Sequence, residues 1–331
     1  MLSPRTIHFS DRGAFWECRT NIASEYLPDG FPHDLASPLV RQRGKFESLW
    51  PQIVQRYSAS NLTFEKDKLP ALSGIARLGY NETGDQYLAG LWMRQIEEQL
   101  CWRRWASEYI AKRPPWRAPT WSWASINGKV FWHIRSEGVL ETEYAHVLDA
   151  STTKYGHDSF GQVTSGVIRL AYSTMVSGYL LYSKELNEPD AKASAYIVLH
   201  VGNKDREVPI QLDCLDDIHQ EENILFYLLP FLSGKTGNAM GDKEEDWLYE
   251  FIIEGIVLRP TGTKGEFSRI GSFIFYKNKS LYKKDDISKE ELYEPFLQVL
   301  EKYGTATAEA ACDEITSNPK HPKERYVITL V

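Results

Sequence analysis

The stretch Arg117-Ala-Pro-Thr-Trp-Ser-Trp-Ala-Ser125 contains two tryptophans one residue apart and is followed by Ile126-Asn-Gly-Lys129. Residues i and i+2 of a β-strand lie on the same face, so Trp121 and Trp123 are predicted to point the same way. Asn-Gly is a preferred two-residue hairpin loop, because both positions take positive φ. The residues Lys129-Val-Phe-Trp-His133 can form the returning strand. The sequence therefore predicts a β-hairpin with a tryptophan face.

The tryptophan face has two interpretations with different functional meaning. If Trp121 and Trp123 are exposed, they form an aromatic platform for a ligand; if they are buried, they anchor a core. Large aromatic side chains dominate protein cores, so we expect the buried arrangement. Arg117 is expected to stack on the two indoles in a cation–π contact.

The residues before this stretch show helical periodicity. Apolar side chains spaced by three and four from Phe46 to Tyr57 predict a first helix. Pro51 is tolerated only in the first turn, so the regular helix is predicted to start near Trp50. A second helix is predicted over 69–79, where Gly79 ends it. A third is predicted over 87–105, with Asp85 as its N-cap. Arg113-Pro-Pro115 then ends the helical part of the chain.

From Trp116 onward, short alternating segments are separated by clusters of Gly, Asn and Asp. This pattern is typical of an antiparallel sandwich or a partly closed barrel. A further strand is possible over Thr6-Ile-His-Phe9. The strands predicted after Trp116 are 119–126, 129–134, 144–150, 163–172, 176–182, 194–201, 207–213, 223–229, 247–259 and 267–276.

The C-terminal part is predicted to form a helix and a tail. Ser288-Lys-Glu-Glu291 is a capping box, Gly304 is the expected C-cap, and Tyr326-Val-Ile-Thr-Leu330 is a predicted edge strand. The fold class is therefore α+β: an N-terminal helical segment, then a mainly antiparallel β sandwich or partly open barrel, with a C-terminal helix. The predicted divisions are residues 1–35, the helical segment 36–115, the β-rich domain 116–280 and the C-terminal helix and tail 281–331.

Composition narrows the classes of function. A net charge of −7 argues against a broad nucleic-acid-binding face. The longest apolar run, Ile224 to Leu232, is too short to span a bilayer. The N-terminus shows no basic segment followed by an apolar one, so we expect a cytoplasmic protein.

The cysteines and histidines show no ligand spacing. The four cysteines lie far apart, and the eight histidines contain no His-x-x-x-His pair. We expect reduced, buried thiols and no metal site. The sequence also has no phosphate-binding loop, dinucleotide fingerprint or nucleophile elbow, so we predict no cofactor.

Glu17 and Cys18 are the residues for which catalysis needs to be considered. A carboxylate beside Trp16 could serve in acid–base chemistry if burial favours its protonated form. A cysteine nucleophile needs a nearby base, for which His8 and His33 are the candidates. Adjacent residues in a strand point to opposite faces, and the sequence places no base beside either group. We therefore predict no catalytic residue.

Several stretches, in this order and spacing, resemble the fungal heterokaryon-incompatibility (HET) domain family. The resemblance covers roughly Leu2 to Phe275. The stretches are Tyr57–Thr63, Asp67–Ala76, Tyr87–Trp92, Leu100–Arg103, Pro119–Ser125, Gly255–Thr261 and Phe267–Gly271.

The first residues resemble the very end of the HET domain proper. Leu2–Phe9 and Phe15–Cys18 are similar to its last blocks, and the family's earlier blocks have no counterpart here. Residues 1–35 are therefore predicted to be a remnant of that domain. In the family, this domain induces cell death and has a fold that resembles Toll/interleukin-receptor-type domains. Either the gene continues upstream of Met1 or the chain is a truncated member, and the sequence leaves both open.

The resemblance implies a role in fungal non-self recognition and regulated cell death. This chain would be a non-enzymatic C-terminal part that is regulatory or that binds a protein partner or a second copy. One alternative is a stand-alone ligand- or protein-binding β-domain, and another is an enzyme completed by another chain or a missing HET domain. An exposed apolar face left by the missing domain favours the first function, a polar surface around residues 1–32 favours the second, and a pocket with acids near Glu17 favours the third.

Overall fold

The structure of the chain is a computed structural model. It confirms the predicted α+β class, with a few helices, mainly antiparallel strands and a helix near the C-terminus. Among the described residues, no helix is long and apolar enough to cross a membrane. The structure describes residues 5–10, 13–18, 22–24, 46–60, 62–105, 110–132, 140–182, 195–201, 204–217, 224–239, 247–277, 292–318 and 320–331.

The first strands form a small sheet of their own, which we call the N-terminal sheet. They pair antiparallel in sequence order, and they include the predicted strand Thr6–Phe9. Ile7 pairs with Trp16, and Trp16 pairs with Ala23, so these three side chains share a face. The strands are β1 (Arg5–Ser10), β2 (Gly13–Cys18) and β3 (Ile22–Ser24).

Two of the predicted helices are confirmed. Helix α1 (Phe46–Ser58) buries one apolar face, as its spacing predicts. The predicted start near Trp50 is wrong, because the helix begins at Phe46 and includes Pro51 in its second turn. Helix α2 (Ser73–Thr83) follows a 3-10 turn and ends at Gly84, whose φ is 66°. Gly79 does not end this helix. A Cβ added at Gly79 would lie 2.1 Å from the ring of Phe46, so the glycine lets α1 pack closely on α2.

The predicted helix over 87–105 is wrong. Strands β4 (Tyr87–Leu88) and β5 (Leu91–Trp92) form a tight hairpin, and the short helix α3 (Ile96–Leu100) and strand β6 (Arg103–Arg104) follow it. The hairpin turn needs positive φ at Ala89 and Gly90, which no helix allows. The apolar residues of the predicted stripe are still buried, but they reach the core from a hairpin and a single helical turn.

Asp85 has a different role from the predicted N-cap. Its Oδ1 accepts hydrogen bonds from the backbone N–H groups of Gln86 (2.8 Å) and Arg94 (3.2 Å). The carboxylate is buried and holds the two ends of the β4–β5 hairpin together. Gln95 follows with a φ of 56°, and this left-handed residue begins α3.

The predicted tryptophan hairpin is also wrong. Trp123–Ser125 form a 3-10 turn, in which the Ser122 hydroxyl accepts a hydrogen bond from the N–H of Ala124 (3.0 Å). Strand β7 (Val130–Phe131) pairs with β6 instead of returning along residues 119–126. Gly128 takes a positive φ of 94° but Asn127 does not, so the predicted two-residue Asn-Gly loop is wrong as well. We call residues 46–132 the tryptophan layer.

The strands predicted after residue 144 are confirmed, with their ends shifted by a few residues in most cases. The predictions for 163–172 and 176–182 match at both ends. The strands are β8 (Leu140–Glu143), β9 (Ala145–Lys154), β10 (Val163–Tyr172), β11 (Val176–Tyr182), β12 (Ala195–Val201), β13 (Lys204–Leu212), β14 (Leu225–Ala239), β15 (Trp247–Pro260), β16 (Glu266–Lys277), β17 (Glu314–Ile315) and β18 (Tyr326–Leu330).

Six of these strands close into an antiparallel barrel, in the order β13-β12-β11-β14-β15-β16. The last pairing, between β13 and β16, matches Gln211 with Ser272 and Leu212 with Gly271. A Cβ on Gly271 would lie 2.5 Å from the carbonyl oxygen of Gln211, so glycine permits this close contact. Of the two architectures left open by the sequence, the barrel is the one observed, and its ring of strands is complete.

Three further strands extend the sheet beyond the barrel. β18 runs parallel to β16, and β10 and β9 follow it in order. The prediction that Tyr326–Leu330 is an edge strand is wrong, because β18 lies between β16 and β10. This arrangement brings the C-terminal residues into contact with β9 and β10, which come from the middle of the chain.

The C-terminal helical run covers one part of the barrel. Helix α4 (Tyr293–Val299), a π-helical turn (Leu300–Gly304) and helix α5 (Thr305–Ala311) follow one another without a break. The predicted C-cap at Gly304 is therefore wrong. The predicted capping box at 288–291 lies outside the described residues. The ring of Phe296 lies 5.2 Å from that of Phe273 on β16, and α4 joins the barrel interior in one apolar cluster.

Two apolar clusters organise these elements. One packs the tryptophan layer against β9, β10, β18 and the outer side of β14–β16. The other fills the barrel with alternate residues of its six strands and with the C-terminal helical run. The predicted division of the chain at residues 35, 115 and 280 stays a prediction.

Candidate functional site

Arg117 fixes the conformation of the tryptophan stretch. Its guanidinium is buried and donates to the carbonyl oxygens of Ala124 (2.6 Å), Ile126 (2.6 Å) and Glu65 (3.1 Å). These bonds tie the 3-10 turn to the segment that follows α1. The predicted stacking on the indoles is wrong, because the guanidinium donates hydrogen bonds to backbone carbonyl oxygens instead.

The expectation that Trp121 and Trp123 are core anchors is confirmed. Both side chains are 0% exposed, so neither can serve as a ligand platform. The carbonyl oxygen of Gly90 accepts from the Nε1–H groups of both Trp50 (2.9 Å) and Trp123 (2.8 Å). The Nε1–H of Trp102 donates to the carbonyl of Trp121 (2.8 Å). The tryptophan layer is thus a hydrogen-bonded core rather than a binding face.

A buried ion pair joins the tryptophan layer to the barrel. Arg269 on β16 is 0% exposed and bonds Asp213 through Nε (2.9 Å) and Nη2 (3.2 Å). The same guanidinium donates to the carbonyl oxygens of Leu100 and Trp102, and it lies 3.4 Å from the centre of the Trp102 ring. Four hydrogen bonds from this cation therefore reach buried acceptors, and they fix how the two parts of the molecule meet.

A cleft of about 330 Å³ opens between α1, the segment after β5 and β15. Its walls combine apolar side chains with several acids and amides and one arginine. A volume of this size is at the lower end of the range for small-molecule sites. The lining residues are Glu47, Ser48, Pro51, Gln52, Gln55, Trp92, Arg94, Gln95, Glu98, Gln99, Cys101, Trp132 and Glu254.

Trp92 lines the cleft, and its Nε1–H is buried without a hydrogen-bond partner. Gln99 fixes the backbone beside it: its Oε1 accepts from the N–H of Trp92 (2.9 Å) and its Nε2 donates to the carbonyl of Trp92 (2.9 Å). Nη1 of Arg94, which also lines the cleft, lies 3.6 Å from Oε1 of Glu47. The cleft therefore has a wall held in place by hydrogen bonds and a lining richer in acids than in bases.

The N-terminal sheet has an apolar face that is exposed on β1. Register places Ile7, Phe9, Ala14 and Trp16 on the same side, and we call these four residues the apolar face. Ile7 is 58% exposed and Phe9 is 84% exposed, whereas Ala23, which pairs with Trp16 on the same side, is buried. Among the described residues β1 pairs only with β2, so its other edge also presents backbone groups. Exposed neighbouring apolar side chains of this kind are typical of a protein contact.

The residues considered for catalysis lie largely outside what the structure describes. Glu17 and Cys18 end β2, opposite Thr6 and Arg5, and their side chains are outside the described part of the molecule. His33 is outside it as well. The absence of a catalytic residue in this chain stays a prediction.

The structure brings together two histidines that sequence spacing does not connect. The rings of His146 on β9 and His321 before β18 stack with their centres 4.0 Å apart, and Glu324 lies beside them. His146 is 8% exposed, and neither of its ring nitrogens has a hydrogen-bond partner. The pairing follows from the order β9-β10-β18, which a motif search along the chain does not detect.

Comparison of the chain with models of protein families, with curated proteins and with solved structures finds no match. The fold and the sites described above are thus the basis for assigning a function.

Proposed function

We propose that this chain is a non-enzymatic, partner-binding protein of the HET type, active in fungal non-self recognition and regulated cell death. The family rests on the resemblance of its residue stretches to the HET family. The observation that carries the binding role is the apolar face of the N-terminal sheet. The protein works in the cytoplasm, in keeping with the buried thiols of Cys101, Cys214 and Cys312, which form no disulfide.

The apolar face has the properties of a protein contact. Ile7 and Phe9 are neighbours on one face, so their exposure is contiguous rather than scattered over the surface. Fully burying an apolar side chain of this size contributes about 1.5–3 kcal/mol, so covering both is strongly favourable. A small sheet also gains stability when its apolar face packs against another element.

The edge of β1 indicates how a partner can bind. A strand added alongside β1 would pair with its free backbone groups, and the partner's apolar side chains would cover Phe9 and Ile7. The partner is a protein or a second copy of this chain. We expect no nucleic-acid partner, in keeping with the net charge of −7.

The function is tested by expression in a filamentous fungus with a cell-death readout. The test variant is Ile7→Ser with Phe9→Ser. The matched control is Ile315→Ser with Tyr155→Ser, because Ile315 is 59% and Tyr155 66% exposed on other elements. We expect the wild type and the control to change the rate of cell death equally, and the test variant to have no effect. Equal effects of all three chains, or no effect of the wild type, would contradict the proposal.

The cleft supports a second candidate function, the stand-alone ligand-binding domain. The three acids of the lining outnumber its single arginine. The ligand class is therefore a small, positively charged molecule. The half-buried Gln52 in α1 allows a test: Gln52→Trp fills the cleft and should abolish binding of such molecules in ligand-observed NMR. Unchanged binding by this variant would exclude the cleft.

A further inference from the structure

We propose that His146, His321 and Glu324 form a zinc-binding site. Their ligand atoms all lie within 4.8 Å of one another. Two imidazoles and one carboxylate are a ligand set that binds Zn²⁺ in proteins and leaves a fourth position for water. The inference is independent of the partner-binding role, because the three residues belong to β9 and the segment before β18.

The burial of His146 is the strongest sign of a ligand. A buried polar group normally has a hydrogen-bond partner, because leaving it unpaired costs about 1–3 kcal/mol. His146 is more than nine-tenths buried and yet neither Nδ1 nor Nε2 is bonded. A metal ion bound at one ring nitrogen would give that nitrogen a partner. His146 is therefore a buried imidazole with a nitrogen available to a metal ion, unlike a histidine on the surface.

The carboxylate of the cluster is a second buried group that a cation would stabilise. Glu324 is 6% exposed, and burying a carboxylate is costly unless a positive charge lies beside it. Its Oε2 lies 4.0 Å from Nδ1 of His321, so the two later ligands already face each other.

The geometry needs only a small closure to bind the ion. Zn–N and Zn–O distances of about 2.0–2.1 Å in a tetrahedron put ligand atoms about 3.4 Å apart. No two ligand atoms therefore have to approach each other by more than about 1.4 Å, because all of them lie within 4.8 Å of one another. His321 can make this movement, because its side chain is 32% exposed and precedes β18 instead of lying within it. A rotation of its ring out of the stack with His146 directs a nitrogen at the shared ion.

The site is tested with the full chain, prepared without a histidine tag and treated with chelator. Calorimetric titration with ZnCl₂ should show one ion per chain, and Co²⁺ should give the visible spectrum of a four-coordinate complex. MgCl₂ should not bind, because Mg²⁺ prefers oxygen ligands in an octahedral arrangement. Zn²⁺ should also raise the melting temperature.

The variants His321→Ala and Glu324→Gln test the site. Neither removes an apolar core side chain, so both are expected to fold. Removing a residue that only hydrogen-bonds to a metal ligand lowers metal affinity about 10–100-fold. Each variant here removes a ligand itself, so it should weaken Zn²⁺ binding at least about 100-fold. The matched control is His157→Ala, an exposed histidine away from the cluster, which should bind as the wild type does. Absence of saturable Zn²⁺ binding by the wild type would overturn the proposal. Equal weakening in His157→Ala and His321→Ala, with all chains folded by circular dichroism, would overturn it too.

Discussion

The tryptophan layer and the barrel bury similar kinds of side chain. They differ in the groups that form hydrogen bonds with their backbone N–H and C=O groups. In the barrel, the polar backbone groups pair strand to strand, and alternate residues fill the interior. In the tryptophan layer the regular elements are short, and side chains satisfy much of the backbone. Trp50, Trp102, Trp123 and Arg117 all donate to buried carbonyl oxygens there.

This difference determines where single substitutions do most damage. A side chain that supplies a hydrogen bond to buried backbone cannot be removed without leaving an unsatisfied carbonyl, in addition to the lost packing. A barrel residue that only fills space loses packing alone. The largest effects are therefore expected where polar side chains bond the layer to the barrel.

The largest expected effect is that of Arg269→Met. The substitution leaves the buried carboxylate of Asp213 without its cation and two carbonyl oxygens of the layer without a donor. We expect a loss of about 3–5 kcal/mol in the free energy of unfolding, measured by urea denaturation. Arg169→Met is the control, because its ion pairs are about one-third exposed and should contribute under about 1 kcal/mol. Similar losses in both variants would refute the role given to Arg269.

Trp123→Ala is expected to rank next. The indole is fully buried, and its removal takes away both the packing and the bond to Gly90. The expected loss is about 3–5 kcal/mol. Trp116→Ala provides a control of the same residue type, since Trp116 is 57% exposed, and it should change stability by under about 0.5 kcal/mol. A normal melting temperature for Trp123→Ala would show that this side chain is not a core anchor.

A smaller and pH-dependent effect is expected for Arg113→Met, which acts where the layer meets the end of β13. Nη2 of Arg113 lies 2.7 Å from Oδ2 of Asp217, and burial raises the pKa of Asp217 to about 6 although Arg113 opposes the shift. A carboxyl group with a raised pKa in the folded state favours folding at low pH, and this contribution is lost as the pH rises through about 6.

Removal of Arg113 takes away the group that opposes this shift, so the pKa of Asp217 rises further. The variant should lose about 1–3 kcal/mol of stability at pH 8, where the carboxylate is charged and unpaired. The loss should be smaller at pH 5, where the group is protonated. Urea denaturation at both values measures the difference, with Arg77→Met of the exposed pair Arg77–Asp158 as the control. A loss independent of pH would contradict this account.

The barrel could be predicted from the sequence because its signal is local. Alternation of apolar residues and the turn residues between them place most strands from 145 to 277 within a few residues, and two match at both ends. Closure of the ring could not be predicted. It depends on the contact of Gly271 with Gln211, two residues far apart in the chain.

The tryptophan layer shows why the rest could not be predicted. Trp121 and Trp123 have the spacing of a strand face, but the bonds of Arg117 to Ala124 and Ile126 hold a 3-10 turn instead. The stripe over 87–105 has helical spacing, but Ala89 takes a left-handed conformation that ends any helix. In the first case side-chain bonds to the backbone seven and nine residues away override the strand pattern, and in the second a single left-handed residue overrides the helical one. The histidine cluster has no sequence signal at all, because strand order alone brings it together.

The central claim, that the apolar face is a protein contact, is tested most directly by co-purification after chemical cross-linking in fungal cells. The wild type, Ile7→Ser with Phe9→Ser, and the matched control Ile315→Ser with Tyr155→Ser are compared by quantitative mass spectrometry. Loss of about 3 kcal/mol from two buried apolar contacts should reduce the bound partner, or the bound second copy, at least about 100-fold. The wild type and the control should retain equal amounts. Equal recovery of the same proteins by all three chains would contradict the account.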